Sequence, residues 1–224
     1  MTKKTDQTLT AADGHRLGAY MVQPDAAPKG GVVILQEIFG VNAHTRHDVE
    51  FFADAGYQSI APAMFDRVEP NAQVDYADTA RGLAIANAIE EPKLLADLQA
   101  AIDAVSAAGP VAVIGFCWGG ALAWLAASKC RGVDRAVCYY GSRIAKYCET
   151  MKPSAPVMYH FGALDKSLPP EAIEKIRAVD PTGVYHVYAG ADHAFTNSDR
   201  ASYSPESAKL AHFRTLEFLA GARR

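Results

Sequence analysis

The chain has 224 residues and is 50% hydrophobic, enough for one sizeable core and near the upper range for a single domain. A net charge of −3 with a pI near 6.2 leaves no electrostatic footprint for nucleic acid or an anionic membrane. The start is polar, no apolar h-region follows and no apolar run reaches membrane-spanning length, so the expectation is a cytoplasmic protein.

Thr8 to Gln23 reads as a hairpin, with Asp13-Gly14 as the turn between two alternating segments. Pro24 to Lys29 is a loop. Gly31 to Gln36 (GVVILQ) is a continuous β-branched run, which suits a strand buried on both faces. Asn42 to Ala55 reads as a helix with Phe51 and Phe52 towards the core, and Tyr57 to Pro62 as a short strand. Val74 to Ile89 and Pro92 to Ala107 are helical patterns, the second opening on a proline suited to a first turn. Val111 to Ile114, Ala136 to Tyr140, Val157 to Phe161 and Val184 to Tyr188 continue the strand series, and Pro205 to Leu219 is a closing amphipathic helix. Strands alternating with helices predict an α/β fold, a single domain with a mainly parallel sheet flanked by helices.

The stretch VIGFCWGGALAW, from Val113 to Trp124, has the form of a nucleophile elbow, G-x-S-x-G between strand and helix, with Cys117 in place of serine. Gly115 and Gly119 allow the close approach such a turn needs. The following helix start supplies partial positive charge, which favours an anion at Cys117. The other cysteines, Cys130, Cys138 and Cys148, form no C-x-x-C pair or zinc pattern and read as free, buried or half-buried thiols.

Sites in α/β sheets form at the C-terminal ends of strands. Asp165 and His193 each follow a strand there, and the order nucleophile, acid, histidine is that of α/β-hydrolases. His193 is then the general base or acid, and Asp165 fixes its tautomer. Asp192 is the rival acid, but its side chain points away from that of its neighbour in an extended segment. The amides of Trp118 and Ile38 are the expected oxyanion donors. The remaining histidines, among them His44, His47, His160 and His212, read as structural or surface residues. Glu37, inside VVILQEIFG, is a carboxylate that is costly to bury unpaired. It has two readings: a salt bridge with Arg67 or Arg81, or a carboxylate near Cys117 that accepts the thiol proton.

Together with DGHRLGAYMVQP, QEIFGVN, GFCWGGALA, DRAVCYYG, HFGALD, AGADHAF and RTLEFLA, these residues make the chain resemble the dienelactone hydrolase (carboxymethylenebutenolidase) family along nearly its whole length. The resemblance implies a Cys117–His193–Asp165 triad, with Glu37 holding the resting thiol and taking its proton when an anionic lactone arrives. It implies no metal and no organic cofactor. It also implies two arginines for a substrate carboxylate. Arg81 matches one; Asn197 stands where the other belongs, and Arg200, three residues on, is its possible substitute. Phe195 and Trp118 make the pocket more apolar.

The leading expectation is therefore a cysteine-dependent hydrolase of dienelactone-type lactones. A general carboxylesterase or thioesterase of the same fold, and a non-catalytic binding or thiol-sensor protein, are the alternatives. The expected partner is a small-molecule lactone or ester, with no nucleic acid or membrane, and the default state is a monomer.

Overall fold

The computed structural model describes residues 2–221. β1 (Lys3–Thr10) and β2 (Arg16–Gln23) form the expected hairpin, in register from Lys3 opposite Gln23 to Thr10 opposite Arg16. Gly14 makes the turn at φ +84°, a conformation that a glycine adopts without a Cβ penalty. β3 (Gly31–Leu35), β4 (Gln58–Pro62), β5 (Val111–Phe116), β6 (Arg135–Tyr139), β7 (Val157–Gly162) and β8 (Val184–Tyr188) join them in one sheet. Among the described residues its order is β1-β2-β4-β3-β5-β6-β7-β8. β2 runs antiparallel to β1 and β4, and the other neighbours pair in parallel. β3, β5 and β7 are buried at every position. Helices cover both faces of such strands, so they read as continuous apolar runs rather than alternating ones.

The helices are α1 (Ala43–Asp54), α2 (Thr79–Ala88), α3 (Glu91–Val105), α4 (Trp118–Lys129), α5 (Ile144–Tyr147), α6 (Pro170–Val179) and α7 (Pro205–Leu219). Asn42 caps α1 by accepting from the Thr45 amide at 3.0 Å. α4 has no polar face over Trp118 to Ala127, where every residue is buried; it packs on β3, β5 and β6 as a core helix. Its Trp124 indole donates to the Tyr159 hydroxyl at 2.9 Å, which in turn donates to Asp180 at 2.9 Å. No helix among the described residues is long and apolar enough to cross a membrane.

Several expectations need correcting. Residues 74–78 are not helical: Asp75 accepts from the Ala77 amide at 2.8 Å and Asp78 caps α2 by accepting from Arg81, so these short acids hold a turn ahead of the helix. α3 stops at Val105, and a 3₁₀ turn follows over Ser106–Ala108. Phe52 is fully buried, but Phe51, a hundred degrees further round the helix, lies half-buried against His212 at 4.9 Å. α5 and α6 lie outside the expected elements, although Ile173 and Ile176 of α6 give its buried face an i, i+3 spacing. All four cysteines are free, Cys138 and Cys148 buried and Cys117 and Cys130 half-buried.

Candidate active site

Cys117 occupies the link between β5 and α4 with φ 55° and ψ −115°. A non-glycine residue in this region is strained and needs its surroundings to hold it. The neighbouring glycines remove what would block the turn. A Cβ on Gly115 would strike the Gly119 carbonyl oxygen, and one on Gly119 the Leu35 carbonyl oxygen at the end of β3. The Cys117 amide donates to the Tyr139 carbonyl at 3.0 Å, tying the elbow to β6.

Asp165 follows β7 and His193 follows β8, as their sequence positions suggested. His193 Nδ1 lies 2.7 Å from Asp165 Oδ2. Burial works against a charged imidazole here. The hydrogen bonds and charges of Asp165 and Cys117 outweigh it and push the His193 pKa up to about 10. Burial likewise opposes ionisation of Asp165, but the bonds and charge of His193 and the bonds of Ser167 hold its pKa below the usual carboxylate range. Ser167 was not anticipated. Its amide and hydroxyl donate to Asp165 Oδ1 at 2.9 and 2.6 Å, which leaves Oδ2 for the imidazole. The D-x-S spacing was the available signal. Asp192 is not the acid: it accepts from the His193 backbone amide at 2.7 Å.

Glu37 leaves the end of β3 and is 6% exposed. Neither proposed arginine reaches it. Arg67 pairs with Asp97 at 2.7 Å and Asp13 at 2.8 Å, and Arg81 pairs with Glu69 at 2.5 Å. Instead Asn197 Nδ2 donates to Glu37 Oε2 at 2.8 Å. Burial pushes the Glu37 pKa up, against smaller opposing effects of Asn197, His193 and Arg200. A cleft of about 430 Å³ beside the β1–β2 hairpin, lined by residues such as Tyr20 and Arg46, contains none of these side chains.

The description "Dienelactone hydrolase family" belongs to the family model that matches residues 17–222. The chain belongs to the dienelactone hydrolase family. The carboxymethylenebutenolidase of Pseudomonas putida is 34% identical over 224 residues, which cover 95% of this chain and 94% of that one. Carboxymethylenebutenolidase 1 of Cupriavidus pinatubonensis is 32% identical over 225 residues, with 95% and 94% covered. A crystal structure from Klebsiella pneumoniae, provisionally named a dienelactone hydrolase, is similar at a TM-score of 0.85 and 31% identity, covering 99% of this chain and 100% of that one.

In this hydrolase the other sequence-picked residues divide into those near the centre and those behind it. Trp118 and Ile38 are buried at the start of α4 and beyond β3. Ile38 is pinned from outside, because a Cβ on Gly82 of α2 would strike its carbonyl oxygen. Phe195 is fully buried between Tyr140 at 5.6 Å and Tyr188 at 5.0 Å, so it backs the site and offers no face to a substrate. Asn197 is fully buried as the partner of Glu37. Arg200 lies over the rings of Phe39 at 5.2 Å and Tyr76 at 5.4 Å. The Tyr76 hydroxyl accepts from Asn42 at 3.1 Å and from Asn197 at 3.3 Å, so one tyrosine joins the two loops around Glu37.

Proposed function

We propose that this hydrolase opens lactone rings of the dienelactone type through an acyl-enzyme on Cys117. The observation that carries the reading is the 2.7 Å His193–Asp165 bond beside a cysteine held in a strained elbow. The thiol proton passes to a base, and Sγ bonds to the lactone carbonyl carbon. Charge collects on the carbonyl oxygen, where the Trp118 and Ile38 amides stabilise it. The ring C–O bond then breaks, the ring oxygen leaves as an enolate, and the enolate takes the proton of the His193 imidazolium, which leaves a neutral imidazole to act as base. Water gives a proton to His193 and attacks the thioester, the C–S bond breaks, and the leaving thiolate recovers from Glu37 the proton it gave up. Asp165 stabilises the imidazolium before ring opening and again once water has given up its proton. Glu37 is the buried carboxyl that accepts the thiol proton when substrate arrives. Side chains and water suffice for every step.

A second reading has its own support. The Arg81 guanidinium is already paired with Glu69, and a neutral amide, Asn197, stands where the resemblance implies an arginine. Both features weaken a clamp for a substrate carboxylate and favour neutral esters. Steady-state hydrolysis of a dienelactone and of p-nitrophenyl acetate, each with the Cys117→Ala variant, tests both readings. Cys117-dependent turnover of the lactone supports the first. Cys117-dependent turnover of the acetate alone supports the second. Full activity of a folded Cys117→Ala variant overturns both.

A further inference from the structure

Four non-glycine residues have positive φ among those described: Asn71, Cys117, Tyr140 and Ala194. Three of them surround the site. Asn71 is of a residue type that tolerates this region, but a tyrosine at φ 39° is an outlier for its size. Such strain persists only where surrounding contacts over-determine it. At Tyr140 those contacts tie the corner to β7 and to the elbow. Its amide donates to the His160 carbonyl at 2.8 Å, while the residue before it accepts from the Cys117 amide at 3.0 Å. A Cβ on Gly141, the next residue, would come within 2.9 Å of the Gly120 backbone, so the first turn of α4 rests on this corner.

The side chain is fully buried. Its ring meets His193 at a centroid distance of 5.1 Å and an interplanar angle of 61°, an edge-to-face contact. Its hydroxyl lies 2.7 Å from Thr196 Oγ1. Thr196 is three residues beyond His193, on the same loop. One tyrosine therefore grips the histidine loop at two points while its own backbone is bonded to the corner that holds Cys117.

We infer that Tyr140 is a positioning residue for the His193 imidazole: the ring sets its tilt and the hydroxyl ties down its loop through Thr196. This rests on the proposed role of His193. The titratable groups around that imidazole are Asp165, Cys117 and Glu37. Edge-to-face pairs of this kind are worth up to about 10-fold in an equilibrium beyond their buried area, enough to hold the tilt of the imidazole.

The test combines kinetics with imidazole NMR on wild type, Cys117→Ala, Tyr140→Leu, Tyr140→Phe, Thr196→Val and the Tyr140→Phe/Thr196→Val double variant. Tyr140→Leu is expected to lower kcat by about 10-fold with KM within about 2-fold, and to move the His193 pKa by about half a unit. Tyr140→Phe and Thr196→Val should each cost about 3-fold, and the double variant no more than either, because both remove one bond. A folded Tyr140→Leu protein with wild-type kcat and an unmoved His193 titration overturns the inference. If Tyr140→Leu does not fold, the double variant decides: additive losses overturn the tie through Thr196. Full activity of Cys117→Ala would overturn the proposed function instead, and the His193 titration in Tyr140→Leu would still decide the role of Tyr140.

Discussion

Replacing Glu37 by glutamine separates a working carboxyl from a structural one. Glu37 is 6% exposed and accepts from Asn197 at 2.8 Å. Burial raises its pKa above the ordinary value of 4.5. As pH rises, the unfolded chain therefore loses this proton before the folded one does. The stability contributed is fully present below 4.5 and is lost as pH climbs through the folded value. Each unit of upward shift removes about 1.4 kcal/mol at pH above both values. Glutamine keeps an oxygen for Asn197 and cannot ionise. Glu37→Gln should thus match wild type in Tm near pH 4 and exceed it by pH 8, by about 2–4 °C for each kcal/mol in a chain of this size. Hydrolysis should fall about 10- to 100-fold over the same range, as expected when a proton acceptor is removed. Thermal unfolding and steady-state kinetics on one pH series read both. A variant less stable at pH 8, with unchanged hydrolysis, would refute the reasoning and make Glu37 an ionised structural residue.

Three further predictions follow from local geometry. Gly82→Ala gains about 1 kcal/mol of helix propensity, but its Cβ meets the Ile38 carbonyl, so activity should drop despite that gain; an active and more stable variant would show that Ile38 needs no fixed position. Glu69→Gln frees Arg81, so KM should fall for a carboxylate-bearing lactone and stay constant for p-nitrophenyl acetate; equal changes for both would remove Arg81 from substrate binding. Trp124→Phe breaks the 2.9 Å bond to Tyr159 and opens space in the core, so thermal unfolding should show a loss of about 2–3 kcal/mol, with kcat at 25 °C retained. A large loss of kcat there would mean that the core helix sets the elbow geometry more directly than its packing implies.

The sheet was legible because its buried strands carry unbroken apolar runs, and the elbow because glycines flank Cys117 where only a hydrogen avoids the carbonyls of Gly119 and Leu35. Asp165 and His193 were legible from their places just past strands. The partner of Glu37 was not, since Asn197 lies 160 residues away and carries no charge to suggest the pairing. Arg67 is suitable by charge, but Asp13 and Asp97 hold it. Phe195 looked like a pocket wall from its place beside His193, yet the loop turns it inward between two tyrosines. The turn at 74–78 was read as helix because its apolar spacing matched, while side-chain bonds from Asp75 and Asp78 decided otherwise.

Whether Cys117 carries an acyl group during turnover is tested most directly by peptide-mapping mass spectrometry. Wild type would be mixed with p-nitrophenyl acetate, quenched in acid within a turnover and digested for mapping. The account predicts one added acetyl group on the peptide containing Cys117, and its absence in a Cys117→Ala protein that no longer turns over. Turnover without an adduct at Cys117, persisting in the folded Cys117→Ala variant, would contradict it.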